Sequence, residues 1–325
     1  MRAAVTTRYG PPEAIEVREV AAPTPAHNEV LVRVRASSVC YGDRMLRSGP
    51  LLVRLLTGFR LKHRILGVDL AGVVEAVGAG VTRFARGDEV YGARGDKFAA
   101  HAEFACVPQD GLLAHKPASM TFEEAGTVFV GAACSLYFLR KAKVVPGERV
   151  LIHGASGSLG VFAVQLARHF GAHVTAVCSA RNAELVRSLG ADEVIDYTTR
   201  DFLDGGAVYD VIVDVLGKAG FPRSVQALKP GGRYLLVGFS DGLGTIARSL
   251  VTGAVVHLRG RARFITGAAA PTQDDLVFLR QLIDSGKLRT VIGRSYTLDE
   301  IVEAHRYADS GHKVGNVAVL IGEQS

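Results

Sequence analysis

Three glycines, Gly154, Gly157 and Gly160, stand between the apolar run Val150-Leu-Ile-His153 and a segment whose Val161, Val164, Leu166 and Ala167 share one helical face. Glycine lets a strand turn tightly into a helix, lets the backbone approach a bulky anion, and lets helix and strand pack closely. The following helix offers backbone N–H groups and the positive end of its dipole to that anion. A strand, the turn Gly154-Ala155-Ser156-Gly157-Ser158-Leu159-Gly160, a helix and a second strand together point to the pyrophosphate of a dinucleotide. The end of the second strand selects the dinucleotide. Sites that hold a ribose 2′-hydroxyl place a carboxylate there; this chain reads Cys178-Ser179-Ala180-Arg181. No carboxylate repels a 2′-phosphate, and Arg181 can pair with one through its forked guanidinium. NADP(H) is therefore the expected cofactor.

Metal and thiol chemistry are thinly represented. Cys40, Cys106, Cys134 and Cys178 are far apart, with no CxxC pair and no four-cysteine zinc spacing. Buried free thiols are the plain reading. Tyr41 and Asp43, beside Cys40, bring a hydroxyl and a carboxylate to the same short segment.

The elements that must position these residues fall into blocks. Up to about residue 120 the chain reads as strands and turns: Glu29–Ala36 alternates apolar and polar residues, Ala71–Val77 is β-rich, and Arg86–Gly92 is a turn into a strand. Thr121 with Glu124 three residues on predicts a capped helix start. From Arg149, strands at Arg149–His153, His173–Cys178, Glu193–Ile195, Val208–Asp214 and Arg233–Val237 alternate with helices at Ser158–Phe170, Asn182–Leu189 and Ala219–Leu228. That alternation predicts an α/β fold with a doubly wound parallel sheet. Thr272–Ser285 and Leu298–Ser310 read as helices and Asn316–Ile321 as a last strand.

Composition sets the class. With 325 residues the chain is long for one core, which favours two domains. Hydrophobic residues at 48% and charged residues at 22% suit a globular protein. No run approaches the roughly 20 apolar residues of a membrane helix, and Met1-Arg-Ala-Ala-Val5 lacks a signal-peptide core, so a cytoplasmic protein without membrane insertion is expected. Formal net charge is +6 and pI about 9.2. No nucleic-acid motif accompanies that charge and aromatics are only 7%, so no nucleic-acid partner is expected. Arg44, Arg47, Arg54, Arg60, Lys62, His63 and Arg64, interleaved with leucines, form a basic stretch that reads as a solvated lid over a cleft or a helix at a membrane surface.

Five motifs, in order along the chain, carry a resemblance: Leu66-Gly-Val-Asp-Leu-Ala-Gly-Val-Val-Glu-Ala-Val-Gly78, Gly87-Asp-Glu-Val-Tyr-Gly92, the glycine turn, Leu189-Gly-Ala-Asp-Glu-Val-Ile-Asp-Tyr197, and Leu228-Lys-Pro-Gly-Gly-Arg-Tyr234. They resemble the medium-chain dehydrogenase/reductase superfamily, and its zinc-independent quinone oxidoreductase-like branch in particular. The resemblance implies a GroES-like β-rich catalytic domain at 1–120 and 268–325 and a Rossmann domain at 121–267. Where zinc relatives carry Gly-His-Glu this chain has Gly67-Val68-Asp69, and Val128–Ala132 offers no third ligand. Cys40 stands where zinc relatives place their first ligand; one thiolate cannot make a three-ligand site, so no metal is expected.

The resemblance also distributes roles. Cys40, Tyr41 and Asp43 would border the substrate, with Tyr41 able to donate to an enolate-like oxygen and Asp43 fixing its loop. Cys134 would lie beside the nicotinamide and Tyr197 near the adenosine phosphate. Gly238 and Phe239 would skirt the nicotinamide; Phe264, Ile265, Thr266, Gly315 and Asn316 would close over the cofactor. A homodimer is implied by analogy. The expected activity is zinc-independent, NADPH-dependent reduction of a small-molecule carbonyl or quinone. The alternatives are an alcohol or carbonyl oxidoreductase and a cofactor-binding sensor or nucleic-acid binder with little catalysis.

Overall fold

The apolar run Val150-Leu151-Ile152 is fully buried because its strand, Arg149–His153, lies between two parallel neighbours. The computed structural model describes residues 1–58, 64–94, 98–238 and 262–322. Within these the chain divides into two compact units, Met1–Ala133 with Pro271–Ser325, and Cys134–Ala270.

In the second unit the described strands form one six-stranded sheet, ordered Glu193–Asp196, His173–Cys178, Arg149–His153, Tyr209–Asp214, Leu228–Leu236, Ala262–Ile265. Every pairing is parallel. Numbered along the chain the strands run 3-2-1-4-5-6, so the order reverses between Arg149–His153 and Tyr209–Asp214. Ligands of such sheets bind beyond the carboxyl ends of the strands at that reversal. The glycine turn leaves the sheet there. The strand Ala262–Ile265 extends the five strands expected from sequence. Its neighbour Tyr234 stacks on Phe264 at 5.9 Å, and Phe221 closes the cluster at 4.9 Å from Phe264.

In the first unit the alternation over Glu29–Ser38 works as period two requires. Val30, Val32, Val34 and Ala36 are buried. This long strand pairs antiparallel with Asp69–Val77 on one edge and with Phe104–Pro108 and Asn316–Leu320 on the other. The register sets Ser37 opposite Leu70 and Ser38 opposite Ala318. A strand at Ile292–Thr297 runs parallel to Asn316–Leu320. Its residues are mostly exposed, which is why no apolar pattern announced it.

The division between the two units falls after Ala133 and after Ala270; the resemblance implied bounds near 120 and 267. Residues 121–133 are tied to the first unit: the Thr127 hydroxyl meets that of Thr290 at 2.9 Å, and the Val130 N–H donates to Asp69 at 2.7 Å. The capping box at Thr121 and Glu124 forms as expected, but on a helix, Phe122–Ala125, that belongs to this unit. Within the part read broadly as strands and turns, the stretch after Cys40 is helical, the form also offered for its basic segment. Helices run over Tyr41–Ser48 and Leu51–Thr57, broken at Gly49-Pro50. Its charge is partly internal: Arg47 is 1% exposed and donates to the Gly10 carbonyl and to Asp309. Arg60, Lys62 and His63 lie outside the described residues.

Candidate active site

The glycine turn is built by contacts that admit no side chain. Gly154 has φ +86°, a left-handed conformation natural only to glycine. A Cβ on Gly160 would sit 2.2 Å from the Gly154 carbonyl oxygen. The helix Ser158–His169 is thereby drawn against the strand it follows, with Gly157 as its N-cap. Gly154 and Ala155 both donate to the Val177 carbonyl at 3.1 Å, which anchors the turn to the neighbouring strand. Ala155 is buried; Ser156, Ser158 and Leu159 are half-buried around the helix N-terminus. This cradle fits a pyrophosphate: the backbone approach, the helix end and the glycine positions are those such a group requires.

At the end of the next strand, Ser179 is half-buried and Arg181 exposed. Tyr197 follows the strand Glu193–Asp196, is 59% exposed, and donates its N–H to the Cys178 carbonyl at 3.3 Å. Ser156, Ser179, Arg181 and Tyr197 thus lie at the carboxyl ends of adjacent strands. Sequence reasoning passed over Asn182. Its side-chain amide donates to the Ser156 hydroxyl at 3.0 Å and to the Ser179 hydroxyl at 3.3 Å. The Ser-x-x-Asn spacing at the start of a helical turn was the available signal.

Beside the turn, Asp214 ends the fourth strand, fully buried. Its carboxylate accepts the N–H groups of Leu216 (3.2 Å), Gly217 (2.8 Å), Lys218 (3.3 Å) and Ala219 (2.9 Å), and the Tyr234 hydroxyl at 2.7 Å. Burial pushes this carboxyl up, but the His153 ring and these donors outweigh it and hold it below the usual carboxylate range. Asp214 is the cap that shapes the loop after its strand. Gly238 follows Leu228–Leu236, where a Cβ would meet the Val215 carbonyl at 2.1 Å. Phe239 lies outside the described residues. Phe264 is committed to the aromatic cluster, Ile265 is half-buried, and the Thr266 hydroxyl donates to the Leu236 carbonyl at 3.1 Å. Cys134 opens the helix Cys134–Ala142, half-buried, directly after the π-helical turn Phe129–Ala133.

In the first unit, Cys40, Tyr41 and Asp43 come together at one helix start. Cys40 is the N-cap of Tyr41–Ser48. Asp43, fully buried, accepts the Cys40 N–H at 2.9 Å with one oxygen and the Gly67 N–H at 2.8 Å with the other. Burial, then the Asp43 and Asp69 carboxylates, push the Cys40 thiol well above its ordinary value. Asp69 is itself buried; it accepts the Ser38 hydroxyl and the Val130 N–H. Burial raises its carboxyl to about 7, with Asp43 adding to the rise and Ser38, Val130 and Lys313 opposing it. The same burial lowers the Lys313 ammonium. Tyr41 is the half-buried first residue of the helix. Gly315 and Asn316 are buried in this unit, and the Asn316 amide is spent on Thr290 (3.1 Å) and the Val291 carbonyl (3.2 Å).

A zinc ion does not suit this donor set. The resemblance sets Val68 where zinc relatives carry a histidine, and the carboxylates of Asp43 and Asp69 are engaged by the hydrogen bonds just described. Among the described residues no group of three or more His, Cys, Asp or Glu side chains is placed to hold a metal. No helix among them is long and apolar enough to cross a membrane.

Comparison with known proteins matches this architecture. Residues 26–149 match the alcohol dehydrogenase GroES-like domain, and residues 189–319 the zinc-binding dehydrogenase family. A mitochondrial NAD(P)H oxidoreductase of Mus musculus is 33% identical over 90% of this chain and 82% of its own length. The quinone oxidoreductase of Coxiella burnetii superposes with a TM-score of 0.87 at 28% identity, covering 99% of both chains. The quinone oxidoreductase of Escherichia coli, solved in complex with NADPH, gives 0.84 at 25% identity over 98% of this chain and 100% of that one.

Proposed function

This chain belongs to the medium-chain dehydrogenase/reductase superfamily, in its quinone oxidoreductase-like branch, and from that premise we propose that it prefers NADPH and reduces quinones or α,β-unsaturated carbonyls without zinc. It is an NAD(P)H-dependent oxidoreductase, with a GroES-like unit and a Rossmann unit. The observation that carries the cofactor preference is the cluster of Ser156, Ser179 and Arg181 at the strand ends, where a carboxylate would have selected NADH. The relative solved with NADPH supports the same reading.

NADPH, when bound, supplies the hydride, and the protein supplies orientation and a proton. The glycine turn and the helix Ser158–His169 hold the pyrophosphate. Hydride addition to an enone or quinone leaves an oxygen that needs a hydrogen-bond donor. We assign that donor to the Tyr41 hydroxyl, whose helix start is fixed by Asp43. The donor set around Cys40 and Val68 supports chemistry without a metal, since one protonated thiol cannot replace three ligands.

The test is a fluorescence titration of chelator-treated protein with NADPH and NADH, followed by NADPH oxidation with a quinone, an enone and a saturated ketone. Tighter binding of NADPH, weakened about tenfold in Arg181→Ala as one charge-assisted contact is lost, with chelator-resistant turnover of quinone or enone, is expected. Binding of neither nucleotide refutes the cofactor site; turnover of the ketone alone moves the activity to carbonyl reduction.

A further inference from the structure

Two hydroxyls that sequence reading treats separately are joined in the fold by a third side chain. Ser156 lies in the glycine turn, and Ser179 follows the neighbouring strand. Asn182, half-buried on the short turn Ala180–Asn182, donates its amide to both, at 3.0 and 3.3 Å. The backbone of the same turn closes on Ser179, the Asn182 N–H donating to the Ser179 carbonyl at 2.9 Å. A hydroxyl that accepts a hydrogen bond keeps its own proton for another acceptor. Asn182 therefore turns both hydroxyls into donors. Arg181 adds a guanidinium one residue away. Asp196, at the end of the next strand, turns one oxygen back to the Thr198 N–H and hydroxyl.

We propose that Asn182 is a positioning residue that presets the Ser156 and Ser179 hydroxyls as a paired clamp for a ribose 2′-phosphate, and so sets the preference for NADPH over NADH. The proposal rests on the cofactor reading above and adds the residue that makes the preference. An NADH ribose offers these donors only a neutral hydroxyl, a weaker acceptor than the charged oxygens of a phosphate. One amide orders two donors before the ligand arrives, which lowers the ordering cost of binding.

The experiment uses the full-length protein and two probes that differ only in the 2′-phosphate, adenosine 2′,5′-bisphosphate and adenosine 5′-monophosphate, each competed against NADPH, alongside direct titration with NADPH and NADH. In Asn182→Ala the affinities for NADPH and for the bisphosphate should fall about five- to tenfold, the scale of one or two lost hydrogen bonds. NADH and the monophosphate should hold theirs. In Ser156→Ala/Ser179→Ala the same loss should appear, and adding Asn182→Ala to that pair should change nothing further, since the amide acts through the hydroxyls. Equal weakening of NADPH and NADH would overturn the proposal, because Asn182 would then only hold the turn. A preference for NADPH that survives intact in Asn182→Ala would overturn it too, while leaving the cofactor reading standing. Wild-type protein that binds NADH as tightly as NADPH would instead overturn the cofactor reading, and the clamp with it.

Discussion

Asp43 and Asp69 are neighbouring buried carboxylates with different duties. Asp43 spends one oxygen on the Cys40 N–H and the other on the Gly67 N–H, so it joins a helix start to the loop that enters the next strand. Asp43→Ala strands two buried N–H groups, and each costs about 1–3 kcal/mol when left unpaired. Urea unfolding should show a loss of about 2–4 kcal/mol for Asp43→Ala and a smaller loss for Asp43→Asn, which keeps one acceptor. Because Tyr41 begins the same helix, Asp43→Asn should also lower turnover while NADPH binding stays at the wild-type level. Unchanged stability in Asp43→Ala would show that water replaces the carboxylate. The expectation that Asp43 fixes its loop came from the family resemblance. Nothing in the local sequence tied it to Gly67, because that contact depends on how two separate strands end.

At the scale of elements, the helix that follows the glycine turn is the one whose placement matters most to nucleotide binding. Its Gly160 has no room for a Cβ beside the Gly154 carbonyl oxygen. Gly160→Val would push the helix away from the strand, an overpacking that costs roughly 1–3 kcal/mol. The expected result is a lower thermal midpoint and NADPH binding weakened at least about tenfold, as 1.4 kcal/mol corresponds to that factor. A wild-type titration curve for Gly160→Val would refute the close crossing. The strand, turn and helix were readable because their signals are local: an apolar run buried on both faces, glycines at fixed offsets, and a helical face. The strands Ile292–Thr297 and Ala262–Ile265 were not read. The first is mostly exposed, and the second is only four residues long, too short to show a period.

At the scale of the whole molecule, two buried groups of the GroES-like unit give stability opposite dependences on pH. Burial raises the Asp69 carboxyl to about 7, so the folded state holds its proton more tightly than the unfolded state. Its contribution is greatest below the ordinary carboxylate value and declines as pH rises to about 7. His305 behaves in reverse. It is fully buried, neither ring nitrogen has a hydrogen-bond partner, and burial, helped by His101 and Arg47, holds its protonation well below the ordinary 6.5. Its contribution is present above about 6.5 and is lost as pH falls below that. Thermal unfolding from pH 4 to 8 should therefore separate two variants. Asp69→Asn should gain on wild type as pH rises, by on the order of 1 kcal/mol or more above pH 7. His305→Phe should gain as pH falls. Curves that stay parallel to wild type for either variant would show that its residue is not the titrating group.

The sequence by itself determined the class of the molecule and the nucleotide cradle, since strand and helix periods, glycine stereochemistry and capping pairs such as Thr121 with Glu124 are each settled within a few residues. It also offered Ser179 and Arg181 as the expected place of cofactor choice. Tertiary structure decided which distant residues meet. Ser38, Asp69 and Val130 are joined because the register of the long central strand sets Ser37 opposite Leu70. The Asn316 amide, expected at the cofactor, meets Thr290 and the Val291 carbonyl, while Thr127 carries residues 121–133 into the GroES-like unit. Asn182 reaches Ser156 only because two parallel strands end side by side. Such meetings follow from strand pairing and burial summed over the whole chain, and no short window of sequence contains them.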